Sequence, residues 1–134
     1  MRHSDFFMTD FSFSRDERLK SVKLIKELFK KGQSIFQFPI KLMYMPLHEG
    51  HATISKTQYA VSVPKKRFKK AVDRNRIKRL LRESIRHHKS ILSKDPPIIL
   101  MIIYVGKEEL SHKIIDASIK KLLLKLHETA SSQP

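Results

Sequence analysis

The sequence predicts an α+β fold: a small mixed β-sheet of about four strands packed with three helices, in the order α-β-β-(β)-α-β-α. Three observations predict it. Apolar residues recur at helical spacing in three separated stretches. Runs rich in β-branched and aromatic residues lie between the first two. One run, Ile98–Val105, is apolar at all eight positions, as in a strand buried on both faces. At 134 residues and 40% hydrophobic content, the chain is long enough for one domain with a core. The helices are expected on one face of the sheet.

Residues 1–14, where Phe6, Phe7, Phe11 and Phe13 alternate with small polar residues, read as a mobile N-terminal arm. The folded domain is expected over 15–128, with a frayed end over 129–134. Asp16 to Lys31 reads as the first helix, with Leu19, Val22, Ile25, Leu28 and Phe29 at helical spacing. Asp16 and Glu17 suit its positive end and Lys30 and Lys31 its negative end, and Gly32 stands where a C′ glycine stops a helix. Residues 35–46 then alternate as an extended segment, with Pro39 at a strand start or bulge. A hairpin turn is expected at His48–His51, and Thr53–Val63 as the return strand, ended by Pro64; part of 46–63 leaves room for one more strand.

After a basic loop over 65–70, a helix is predicted from Val72 to His88, with Ile77, Leu80, Leu81, Ile85 and His88 in one stripe. The break at Lys94-Asp95-Pro96-Pro97 leads into the buried strand. Leu110–Leu126 reads as the last helix, through Ile114, Ile115, Ser118, Ile119, Leu122, Leu123 and Leu126. The helix between strands 53–63 and 98–105 is a crossover connection, right-handed by the general rule.

Composition excludes several functions. There is no cysteine, so no disulfide framework or thiolate metal site. The longest apolar run falls far short of the roughly 20 residues that span a bilayer. The N-terminus shows no sustained apolar stretch, so no signal peptide is expected, and cytoplasmic residence is. Three isolated glycines cannot build a Gly-rich phosphate loop.

The charge points to a polyanion. The chain carries 28 Lys and Arg against 13 Asp and Glu, for +15. Twelve of these cations fall within 65–89: Lys65, Lys66, Arg67, Lys69, Lys70, Arg74, Arg76, Lys78, Arg79, Arg82, Arg86 and Lys89, opposed only by Asp73 and Glu83. On a wheel of about 100° per residue, the apolar stripe occupies one face of helix 72–88. The other face carries Lys78, Arg82, Asn75, Arg86, Arg79 and Arg76. Like charges at i, i+4 each cost a few tenths of a kcal/mol in an isolated helix. An anion along the strip reverses that cost, and the arginine forks suit bidentate phosphate contacts. A merely solvated basic face is the bland alternative; the nearly single sign and the Asn between two arginines argue against it.

The stretch Lys69-Lys70-Ala71-Val72-Asp73-Arg74-Asn75-Arg76-Ile77-Lys78-Arg79-Leu80-Leu81-Arg82-Glu83 resembles the signature of the bacterial ribonuclease P protein family, an Arg-Asn-Arg motif in a long matching context. Phe13-Ser14-Arg15-Asp16-Glu17-Arg18-Leu19, Leu28-Phe29-Lys30-Lys31-Gly32 and Val61-Ser62-Val63-Pro64-Lys65-Lys66 resemble further family segments, so the resemblance covers about 13–127. Two departures stand out. Arg67-Phe68-Lys69-Lys70 lacks the glycine frequent in that loop, and Pro64 replaces the commoner serine.

The resemblance implies a left-handed crossover, against the general rule. It implies a protein subunit of an endonuclease that removes the 5′ leader of precursor tRNA, with catalysis on an RNA subunit that binds Mg²⁺. The RNA-subunit contacts it implies are Lys65, Lys66, Arg67, Lys69, Lys70, Arg74, Asn75, Arg76, Arg79 and Arg86. It implies a leader cleft between the first helix and the sheet. There Phe29 matches a family aromatic and Tyr44 another, given one inserted residue, with Lys78 and Arg82 on leader phosphates. Ile25 stands where some members have a third aromatic, which Phe36 or Phe38 would replace. The partners implied are the catalytic RNA and the leader, with no membrane and no obligate protein partner.

No catalytic residue and no metal bound by the protein alone are expected. The acids are dispersed, His87 and His88 point about 100° apart with His88 filling the apolar face, and Glu83 is expected to pair with Arg79 or Arg86. His48-Glu49-Gly50-His51 lacks a zinc-motif spacing. A non-catalytic ribosomal-type RNA binder would share the charge without the motif context and cleft. A major-groove DNA reader would need base-reading residues at the helix start and a dimer face. A membrane-surface helix would need an apolar face free of the core.

Overall fold

A computed structural model describes residues 17–46, 57–92 and 97–132. The N-terminal arm, Asp16, the turn at 48–51, the start of strand 53–63 and residues 94–96 lie outside them.

The first helix, α1 (Val22–Lys31), begins later than Asp16. Residues before it are held extended: the Leu19 N–H donates to the Tyr59 carbonyl at 2.9 Å, and Arg18 forms a parallel bridge with Tyr59. Ser21 then caps the helix, its side chain accepting from the Leu24 N–H at 3.2 Å. Glu17 serves no helix end; its carboxylate takes Lys89 Nζ at 2.9 Å. Gly32 follows the helix with extended backbone (φ −69°, ψ 159°), so the left-handed C′ geometry is not used. Space demands the glycine: a Cβ there would stand 2.4 Å from the Leu28 carbonyl oxygen.

The expected single segment over 35–46 is two strands. β1 (Gln33–Gln37) and β2 (Ile40–Pro46) form an antiparallel hairpin that turns at a cis Phe38–Pro39 bond. Pro39 thus sits in the turn, where no ladder hydrogen bond is asked of it. β3 (Gln58–Ser62) does not return beside β2. It runs parallel to β4 (Ile98–Tyr104), which pairs antiparallel with β2, giving the order β1-β2-β4-β3. The strand apolar on both faces therefore takes an interior position. α2 (Ala71–His88) is the crossover between parallel neighbours, and a 3-10 turn (Lys89–Leu92) extends it. α3 (His112–Ser132) continues past Leu126 through residues 129–132, where a frayed end was expected.

Helices cover both faces of the sheet, not one. α1 buries Leu24 and Leu28 with Met43, Met45, Ile99 and Met101. α2 and α3 bury Ile77, Leu81, Ile85, Ile115, Ile119, Leu122, Leu123 and Leu126 against Ile40, Leu42, Leu100, Ile102 and Tyr104. The physical reason lies in β4: its alternate residues Ile99 and Met101 need a cover as much as Leu100 and Ile102 do. No helix among the described residues is long and apolar enough to cross a membrane.

Candidate nucleic-acid interface

α2 seats Ile77, Leu81, Ser84 and Ile85 in the core, so its charged face is turned outward as the wheel requires. Lys70 at its N-cap offers no side-chain cap. Arg74 reaches back instead and donates from Nη1 to the carbonyls of Phe68 (2.8 Å) and Lys69 (2.9 Å). Phe68 anchors the same loop from below, its ring 5.8 Å from that of Tyr104. Among the described residues no non-glycine has positive φ, so the loop without a glycine adopts ordinary backbone. Lys65, Lys66, Arg67, Lys69 and Lys70 project from it, exposed.

The two arginines of the Arg-Asn-Arg motif therefore differ from the rest of the strip. Arg74 is a loop pin. Arg76 is held by acids, its Nε on the Glu109 carboxylate at 2.9 Å and its Nη2 on Asp73 at 2.8 Å. Asn75 between them is exposed, and Lys78 is half-buried. Among the described residues Arg79 and Arg82 have no carboxylate partner, and Glu83 makes no ion pair with Arg79 or Arg86.

Arg79, Arg82 and Arg86 meet Arg18 and Lys20 across a cleft of about 720 Å³ beside β3. The extended segment at 18–20, laid on the β3 edge, brings the last two cations there. Arg82 shares this cleft with Arg79 and Arg86, so geometry draws no line between a leader-side and an RNA-side arginine. The Nε of Arg86 is buried there without a hydrogen-bond partner among the described residues. Tyr59, in the cleft floor, has its phenol pushed above its ordinary range by burial and then by the charge of Glu17, so it stays neutral. Sequence reasoning missed Arg18 and Lys20 because they were assigned to a helix; their flanking of the buried Leu19 was the available signal.

The α1 face holds the second candidate surface. Phe29 lies on α1, exposed. Tyr44 does not face it. Its cross-strand partner is Leu100, it packs half-buried toward the α2–α3 side, and its hydroxyl donates to Gln33 Oε1 at 2.9 Å. Met43 takes the α1-side position, with Met45 and Met101. Neighbouring residues of a strand face opposite ways, so Tyr44 and Met43 lie on different faces of the sheet. Phe36, paired with Lys41 and in row with Ile103, lies on the α1 side and is exposed.

His88 is not apolar filler. Its Nε2 lies 3.1 Å from the Asp116 carboxylate, which also accepts from the Ser84 hydroxyl at 2.6 Å. Burial raises the Asp116 carboxyl, but the hydrogen bonds from Ser84 and His88 and the charges of His88 and His112 outweigh it, leaving it below its ordinary value. This clasp joins α2 to α3 away from the cationic strip. The described residues gather no group of three or more His, Asp or Glu side chains suited to a metal.

Residues 13–127 match the family model described as Ribonuclease P. The chain is 32% identical over 121 residues to the ribonuclease P protein component of Porphyromonas gingivalis, covering 87% of each chain. It is 34% identical over 122 residues to that of Pseudoalteromonas atlantica, covering 89% of this chain and 93% of the relative. In fold it is similar to the RNase P protein of Staphylococcus aureus (TM-score 0.67, 24% identity, 85% of this chain and 97% of that one). It is likewise similar to that of Thermotoga maritima (TM-score 0.67, 21% identity, 81% and 96%).

Proposed function

The chain belongs to the ribonuclease P protein family, and from that premise we propose that it is the protein subunit of a ribonucleoprotein that removes the 5′ leader from precursor tRNA. The observation that carries the reading is the cleft where Arg18, Lys20, Arg79, Arg82 and Arg86 converge with no acid among its described lining residues. Five cations in one concavity repel one another, and a phosphate backbone relieves that repulsion. The pinned loop over 65–70 extends the same field along the RNA subunit.

The α1 face takes the leader in this reading. Phe29 offers an exposed ring face beside Lys30, and aromatic platforms beside cations hold single-stranded RNA without reading its sequence. Mg²⁺, held by the RNA, would supply charge neutralisation at the cleaved phosphate. The protein's own work is positional and electrostatic: it lowers repulsion between two RNAs and distinguishes precursor from product by the leader. The protein acts where precursor tRNA is made, in the cytoplasm.

A titration of the full-length protein with the ribonuclease P RNA at increasing salt tests the reading. With roughly six phosphates neutralised, log K falls against log salt with a slope of about −4 to −5. A slope near zero contradicts it.

A further inference from the structure

Phe36 and Phe38 are 54% and 55% exposed, yet their hairpin is tied to the rest of the fold at two points. The Ser118 hydroxyl donates to the Phe38 carbonyl at 2.8 Å, and the Val105 N–H donates to that of Pro39 at 2.8 Å. Both rings border a groove of about 470 Å³, flanked by Arg67 and Lys107.

The other walls are equally fixed. Arg67 leaves the loop that Arg74 pins. Lys107 leaves a loop stapled by Tyr104, whose hydroxyl donates to the Glu108 carbonyl at 2.6 Å and accepts from the Leu110 N–H at 3.0 Å. Gly106 lets that loop lie against Pro39 and the Tyr104 ring, where a Cβ would meet them at 3.1 to 3.2 Å. A rigid backbone presenting exposed rings has already met the ordering cost that binding normally incurs.

We propose that this groove is a subsite for an unpaired RNA strand, with bases stacked on Phe36 and Phe38 and phosphates on Arg67 and Lys107. The inference rests on the RNA-binding reading and extends it to a site the motif does not include. The groove volume falls within the roughly 300–1,000 Å³ of small-molecule clefts. Two cations against the single acid Glu108 favour an anionic occupant.

The test uses the full-length protein and its Phe36→Ala/Phe38→Ala and Phe36→Leu/Phe38→Leu forms, with thermal midpoints confirming that each folds. The first probe is a fluorescein-labelled single-stranded oligoribonucleotide of about ten nucleotides. Both variants are expected to lose at least about fivefold in affinity, because leucine keeps the apolar bulk and loses the ring face. Two further titrations identify the source of the strand. A loss confined to leader-bearing precursor tRNA, measured on the reconstituted complex, assigns the leader; a loss toward the ribonuclease P RNA assigns that RNA. Unchanged affinity in all three overturns the proposal, as does full binding by the leucine pair. Loss of self-association in sedimentation with RNA affinity intact overturns it in favour of a protein-binding patch. If the wild-type protein fails to support leader removal, the ribonuclease P reading falls, while the oligonucleotide titration still decides the groove.

Discussion

The guanidinium of Arg74, one turn into α2, holds the carbonyl of Phe68 at 2.8 Å and so fixes the path of the basic loop that precedes the helix. In the proposed function the arginine would act on RNA through the loop as well as through its charge. Arg74→Lys keeps the charge but cannot fork two carbonyls. It is expected to lose about 1 kcal/mol of RNA affinity, roughly fivefold. Amide exchange at Phe68 and Lys69 should quicken in the same variant. A lysine form equal to wild type in both measurements contradicts the pin.

Arg79 and Arg82 have no carboxylate partner among the described residues, whereas Arg76 sits between Asp73 and Glu109. Arg79→Ala and Arg82→Ala should each flatten the salt dependence of RNA binding by nearly one unit of slope. Arg76→Ala should flatten it by less, because its charge is already shared with two acids. Equal changes for all three contradict this ranking.

Gly32→Ala places a methyl carbon 2.4 Å from the Leu28 carbonyl oxygen and 2.8 Å from the Leu28 side chain. The backbone must shift, at a cost of about 1–3 kcal/mol. A urea unfolding curve should show a lower midpoint with an unchanged slope.

Asp116 ionises below its ordinary value of 3.8, so its contribution to stability is present above that value and lost as pH falls through the folded-state value. Thermal midpoints of wild type and Asp116→Asn should differ near neutral pH and converge in acid. Ser84→Ala, which removes the 2.6 Å donor, should cost about 1–2 kcal/mol near pH 7. A gap between wild type and Asp116→Asn that widens in acid contradicts the assignment.

Much of this was legible in order and charge. The apolar stripe Ile77, Leu81 and Ile85 fixed which face of α2 would carry the arginines, since a helix has only one face to bury. Ile98–Val105 announced a strand covered twice, although the second cover, α1, was placed on the same face as the others. What escaped were relationships across the chain. The capture of Leu19 by Tyr59 overrode a fair helical pattern, because a backbone hydrogen bond to an open strand edge is a tertiary fact. Glu109, the partner of Arg76, lies far along the sequence. Tyr44 lies on the sheet face opposite α1, since one residue along a strand is the whole distance between two faces.

In the proposed function this protein serves an RNA catalyst and carries none of the chemistry itself. Cleavage of precursor tRNA at low Mg²⁺ by the RNA subunit alone, the protein alone, and both together tests it most directly. Efficient leader removal is expected only in the mixture. Cleavage by the protein alone, or no gain on adding it to the RNA, would contradict it.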